Sequence, residues 1–193
     1  MFSKRIVLGS GSPRRRELLQ QAELHFRVLV SDVSEDFDAD LNPEEVPEML
    51  AERKARAIIH QFNIQDEWVL TADTIVLLGK EIIGKPMDAA DAIQMIRKLS
   101  GEKHTVITGV NLIKNDKKLS FRDYTDVYFN DLTTSEIAYY VSKYQPFDKA
   151  GAYAIQEWIG LVGVRRIDGC FYNVMGLPVP RLFREMKQLD WDF

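Results

Sequence analysis

The sequence predicts an α/β protein with a long, twisted mixed sheet flanked by helices and a cleft between two lobes. Three observations carry this. Short apolar strands and amphipathic helices are interspersed from one end of the chain to the other. Several strand segments alternate apolar and polar residues and meet at short polar turns, which argues for antiparallel pairs beside any parallel ones. The chain has 193 residues, 46% hydrophobic and 28% charged, enough to bury a core without a disulfide or metal staple. No internal repeat or low-complexity linker interrupts it, so residues 1–193 read as a single domain.

The elements come in order along the chain. Ile6–Leu8 is a short apolar run and reads as a buried strand. Gly9-Ser10-Gly11-Ser12 breaks it. Ser12 suits an N-cap and Pro13 the first helical position, so a helix runs from Pro13 to about Ala22. Phe26–Val30 reads as a second strand. Residues 30–52 then hold nine acidic side chains and no Lys or Arg. Within them Asn42-Pro43-x-Glu45 signals a helix start with a capping box. Pro47 fits poorly inside that helix, which gives its first turn a separate character. The helix is established by Met49 and runs to about Ile59.

Trp68–Asp73 is a strand. Ile75–Leu78 and Glu81–Ile83 flank Gly79-Lys80 as a hairpin. Asp88 caps a helix with Ala89, Ala92, Ile93, Ile96 and Leu99 on one face. Thr105–Ile113 and Phe121–Phe129 are strands around the polar turn Asn115–Lys118. In the second of them Thr125, Val127 and Phe129 point one way, and Tyr124, Asp126 and Tyr128 the other. Thr133-x-x-Glu136 is a capping box for a helix carrying Ile137, Tyr140 and Val141. Tyr153–Ile155 reads as a short strand. A glycine-punctuated stretch covers 160–176, and a last helix runs from about 179 to 189.

Charge and composition exclude several functions. A net charge of −4 disfavours a long polyanion track, so no stable nucleic-acid partner is expected. It leaves room for one anion in a small basic site. The single cysteine, Cys170, cannot form an internal bridge. No apolar run approaches the ~18 residues of a membrane span. The start, Met1 to Gly9, lacks the apolar core of a signal peptide. The expectation is a cytoplasmic protein without a membrane partner.

Four constellations could carry chemistry. Gly9-Ser10-Gly11-Ser12-Pro13-Arg14-Arg15 lies between a strand and a helix. Small residues, a helix start and bidentate donors suit a phosphate chain. The bland alternative is a serine-capped helix with solvated arginines, and Arg16 reads as surface. The loop lacks the Gly-Lys-Ser/Thr of a Walker loop and the third glycine of a dinucleotide fingerprint. Glu35 and Asp73 are a candidate carboxylate pair. Asp73 ends an apolar strand, where α/β enzymes place catalytic groups. Two such carboxylates could hold Mg²⁺ or Mn²⁺, and one could activate water. Glu35 could equally be one more solvated acid, and Asp73 could merely cap a turn. Lys54, Lys85 and Lys149 form a clamp only if they converge. Gln156 ends a short strand and could read a base edge, or simply be solvated. His25, His60 and His104 have no zinc-ligand spacing.

These segments together resemble the Maf (septum-formation-inhibitor) family of nucleoside triphosphate pyrophosphatases. The matching pieces are Ser10–Leu19, Ser34-Glu35, Lys54-Ala55, Ala72–Val76 and Gly84-Lys85-Pro86. They continue through Thr105–Val110, Thr125–Phe129, Asp148–Gln156 and Asn173–Pro178, in order from about residue 5 to 185. Gly9 and Gly11 stand where members commonly carry alanine, which could loosen the loop. The resemblance implies the fold shared with inosine triphosphatases and cleavage between the α- and β-phosphates. The ending Ala154-Ile155-Gln156 is similar to the branch acting on dTTP and UTP. The branch acting on 7-methyl-GTP usually ends in Glu there. A homodimer is implied too.

On this resemblance Ser10, Ser12, Arg14, Arg15, Lys149 and Gln156 bind substrate, with Arg14 and Arg15 on the phosphates and Gln156, beside Arg15, reading the pyrimidine. Glu35 and Asp73 position a divalent metal, Mg²⁺ or Mn²⁺, and Asp73 activates water. Lys54 and Lys85 neutralise developing charge. The alternatives are a 7-methyl-GTP or inosine-triphosphate pyrophosphatase, and a cell-division regulator with a residual nucleotide site.

Overall fold

The structure is a computed structural model that describes residues 6–38 and 40–189. The polar start Met1–Arg5 lies outside them. Seven strands form one mixed sheet: β1 (Ile6–Leu8), β2 (Phe26–Val28), β3 (Trp68–Leu78), β4 (Glu81–Ile83), β5 (Lys103–Lys114), β6 (Lys117–Phe129) and β7 (Val164–Asp168). Their order is β2-β1-β3-β5-β6-β7, with β4 paired to β3. Among the described residues seven α-helices accompany them: α1 (Pro13–Gln21), α2 (Val46–Gln61), α3 (Ala89–Leu99), α4 (Thr134–Tyr144), α5 (Trp158–Gly163), α6 (Phe171–Met175) and α7 (Val179–Met186). No helix among the described residues is long and apolar enough to cross a membrane.

The chain divides into two compact units. One comprises 1–73, 108–123 and 176–193; the other comprises 74–107 and 124–175. In the first, β1 pairs in parallel with β2 and with the start of β3, in the register Leu8–Val28 and Leu8–Leu70. Val7, Ala55, Ile58, Val69 and Ile113 form a buried cluster under this pairing. It seats α2 against the strands, and the buried Thr71 hydroxyl donates to the Ala51 carbonyl at 2.6 Å.

In the second unit β3 pairs antiparallel with β4, and β6 with β7. Asp88 caps α3 by accepting from Asp91 N at 2.8 Å. Thr133 and Glu136 make the full capping box on α4. Ile137, Tyr140 and Val141 are buried, as the helical spacing requires. In β6, Thr125, Val127 and Phe129 are buried while Tyr124 is exposed.

Several expectations need correction. Trp68–Asp73 and Ile75–Leu78 are one eleven-residue strand, so Asp73 lies inside β3 and not at its end. The β-branched run Thr74-Ile75-Val76 carries the extended backbone through. The parallel partner, β1, does stop at Leu8, opposite Leu70. Ser12 holds the N-cap position of α1 without a side-chain cap bond. Its own N–H donates to the Ser10 hydroxyl instead, at 3.2 Å. Asn42 caps a separate 3₁₀ turn, Pro43–Glu45, by accepting from Glu44 N. Pro47 then falls in the first turn of α2, where a missing N–H costs nothing.

Tyr153–Ile155 is not a strand. It follows a 3₁₀ turn, Ala150–Ala152, with Gly151 and Ala152 both at positive φ. Tyr153 itself is extended, but the chain turns again at Ile155 and Gln156 before a strand can develop. The glycine-punctuated stretch 160–176 holds the end of α5 together with β7 and α6.

One buried contact makes stability depend on pH. His104 is 1% exposed, and its Nε2 lies 2.7 Å from the Tyr153 hydroxyl. Phe129 and Tyr153 pack edge-on against the imidazole. Burial pushes its pKa down to about 4. Its buried Nδ1 has no hydrogen-bond partner among the described residues, so the cation would leave an N–H unsatisfied. Because the folded pKa lies below the unfolded one, the stabilising contribution is complete above about pH 6.5 and is lost as pH falls towards 4. Urea titrations at stepped pH should show wild type losing about 3 kcal/mol more than His104→Gln across that window. Equal losses would remove His104 as the cause.

Candidate active site

The first unit carries seven of the predicted residues, Ser10, Ser12, Arg14, Arg15, Glu35, Lys54 and Asp73. Gly9 N donates to Leu70 O at 2.8 Å, which prolongs the parallel pairing by one bond. A Cβ on Gly9 would lie 2.4 Å from Ile58 Cδ1 and 2.5 Å from Thr71 Cγ2. Glycine therefore does not loosen the loop at this position; it lets the loop pack flush against α2 and β3. At Gly11 a Cβ would meet only Val30, at 3.9 Å.

Ser10 is buried and organises the loop on its C-terminal side. Its hydroxyl accepts from Ser12 N and from Arg15 Nη1, each at 3.2 Å. Arg15 Nε donates to the Gly176 carbonyl at 2.8 Å. The Arg15 guanidinium lies in the interior, although the residue keeps partial solvent access. Burial lowers its pKa to about 10, and the Arg14 charge adds to the lowering. The negative charges of Asp73 and Glu35 oppose it. Arg14 differs from its neighbour, since its buried Nε has no hydrogen-bond partner among the described residues.

The carboxylates meet on a lysine. Lys54 projects from α2, and its Nζ donates to Glu35 Oε1 at 2.7 Å and to Asp73 Oδ1 at 2.6 Å. Asp73 is 9% exposed, whereas the Glu35 side chain is 47% exposed. Two carboxylates that touch one ammonium nitrogen are necessarily near each other. Arg53, the residue before Lys54, fixes the acidic loop on both sides of Glu35. Its Nη1 donates to Ser34 O at 2.9 Å and Asp36 O at 2.6 Å. Nothing in the sequence pattern marks Arg53, because its partners are backbone carbonyls. Among the described residues no group of three or more His, Cys, Asp and Glu is placed to hold a metal.

The second unit carries Lys85, Lys149 and Gln156. Lys85 is exposed in the turn after β4, and Gly84 O accepts from Gly151 N at 2.9 Å. That bond ties the Lys85 turn to the loop bearing Lys149. Lys149 is 9% exposed, with Nζ 2.7 Å from Asp148 Oδ1 and 3.7 Å from Glu157 Oε1. Gln156 is exposed in the turn before α5, not at a strand end.

A family profile described as "Maf-like protein" matches residues 5–189. The chain belongs to the Maf family. It is 45% identical over 184 residues to a protein of Cytophaga hutchinsonii named dTTP/UTP pyrophosphatase, covering 95% of this chain and 84% of that one. It is 48% identical over 186 residues to a Bacteroides fragilis protein of the same name, covering 96% of each. In fold it is similar to the Ham1 protein of Staphylococcus aureus, at TM-score 0.53 and 15% identity, over 97% of this chain and all of that one.

Proposed function

We propose that this protein hydrolyses dTTP and UTP between the α- and β-phosphates, releasing the nucleoside monophosphate and pyrophosphate. Near-half identity to proteins named dTTP/UTP pyrophosphatase supports the reaction. The observation that carries the chemistry is the Lys54 bridge between Glu35 and Asp73. It sets two carboxylates and a cation close to the Ser10–Arg15 loop, whose Arg15 feels both negative charges.

In this reading Asp73 is the general base. Lys54 holds Oδ1, which orients the carboxylate to take a proton from water. The water oxygen bonds to the α-phosphorus, the bond to the bridging oxygen breaks, and pyrophosphate departs. Ser10, Ser12, Arg14 and Arg15 bind phosphate oxygens. Arg14 Nε, a buried donor without a partner among the described residues, is in need of an acceptor, which supports that role. Lys54, Lys85 and Lys149 offset charge on the phosphates, and Gln156 reads the pyrimidine edge.

Glu35 and Asp73 offer the hard oxygen donors that Mg²⁺ or Mn²⁺ takes, and their common contact with one cation shows that they can share a positive charge. Such an ion, when bound, supplies further neutralisation of the phosphates.

A panel of triphosphates with Mg²⁺ or Mn²⁺, with pyrophosphate and orthophosphate detected separately, tests the reading. Pyrophosphate from dTTP and UTP is expected. A preference for 7-methyl-GTP or inosine triphosphate would overturn the substrate, and orthophosphate would overturn the bond cleaved. Asp73→Asn should lower kcat by about a hundredfold or more. The variant's thermal midpoint shows whether the fold survives, and undiminished turnover would remove Asp73 as the base. A homodimer belongs to the same reading, and sedimentation equilibrium should return twice the chain mass.

A further inference from the structure

Tyr140 is fully buried on α4, and a buried phenol needs partners for its hydroxyl. It has two. The hydroxyl accepts from Ala154 N at 3.1 Å and donates to Glu157 Oε2. The second is a charge-assisted bond, of the stronger kind. It locks the Glu157 carboxylate, whose side chain is 21% exposed, with Oε1 3.7 Å from Lys149 Nζ. Asp148 also contacts that ammonium, yet its side chain is 61% exposed, and so exposed a partner holds a lysine weakly. Glu157 is the stiff partner.

We propose that Tyr140 and Glu157 are positioning residues, which hold the Lys149 ammonium where a substrate phosphate meets it. The inference rests on Lys149 being a phosphate ligand, as the functional reading has it. An unrestrained lysine side chain has many rotamers to lose on binding. Fixing it beforehand lessens what binding must supply.

The anchor suits this task. Glu157 N donates to Ala154 O at 3.1 Å, and Ala152 N donates to Lys149 O at 3.1 Å, so the loop from Lys149 to Glu157 is bound to itself. Tyr153 ties it to His104. Tyr140 is the residue that joins this backbone, through Ala154, to the carboxylate facing the lysine.

The test combines Tyr140→Phe and Glu157→Gln with Lys149→Met, singly and in pairs. Pyrophosphate release from dTTP is one readout. Each of the first two changes should raise KM about three- to tenfold, the size of one lost hydrogen bond, with kcat within about twofold. In the Lys149→Met background neither should add anything. The second readout is the rate at which an amine-reactive ester labels Lys149, followed by mass spectrometry without substrate. It should rise several-fold in both single variants. Tyr144→Phe is the control on the same helix. Its ring stacks on Tyr140 with centroids 5.0 Å apart, and the change should leave both readouts unmoved.

Full additivity with Lys149→Met, or an unchanged labelling rate, overturns the proposal. If Tyr140→Phe fails to fold, Glu157→Gln decides alone, since it leaves the phenol in place. Faster labelling in variants of a protein that releases no pyrophosphate would uphold the placement of Lys149 and reject the function assigned above.

Discussion

Lys54 carries an ammonium that bridges two carboxylates, and the charge balance of the first unit depends on that arrangement. Asp73 sits inside a strand among Ala72, Ile75 and Val76, where an unpaired charge would be strongly destabilising. Lys54 makes it tolerable and draws the exposed Glu35 to the same point. Removing one partner of a buried pair costs roughly 3–5 kcal/mol, since the other charge stays behind. The lysine is in turn placed by packing. The cluster of Val7, Ala55, Ile58, Val69 and Ile113 seats α2, and Thr71 ties that helix to β3. Core sets helix, helix sets lysine, and lysine sets both acids.

Much of the fold was legible because its signals are local. The Asp88 cap, the Thr133–Glu136 box and the alternation in β6 each need only a few neighbouring residues, and all stand in the structure. The errors lie where distant partners decide. Asp73 looked like a strand end because a carboxylate interrupts an apolar run. The strand continues since Lys54, nineteen residues earlier, neutralises that carboxylate. Tyr153–Ile155 has strand composition, but positive φ at Gly151 and Ala152 turns the chain.

The candidate site divides in the same way. Residue types in the Ser10–Arg15 loop are what lead a reader of the sequence to expect an anion there. The pairing of Lys54 with Glu35 and Asp73 has no sequence period that could reveal it. Arg53, Glu157 and the Gly176 carbonyl act through contacts alone, and Tyr140 has the spacing of an ordinary core residue. Adjacent arginines likewise take different parts. Arg15 is bonded to Ser10 and Gly176, while the buried Nε of its neighbour Arg14 has no partner among the described residues. No motif separates the two.

The bond from Arg15 to Gly176 spans 161 positions of the chain. The first unit takes its last segment from residue 176 onward, so it closes only when that segment arrives. During synthesis the arginine loop is made early and its carbonyl partner late. A chain stalled short of Gly176 has the loop, Glu35, Lys54 and Asp73, but lacks the carbonyl that Arg15 Nε binds. Full seating of Arg15 is therefore a late event in the making of the first unit.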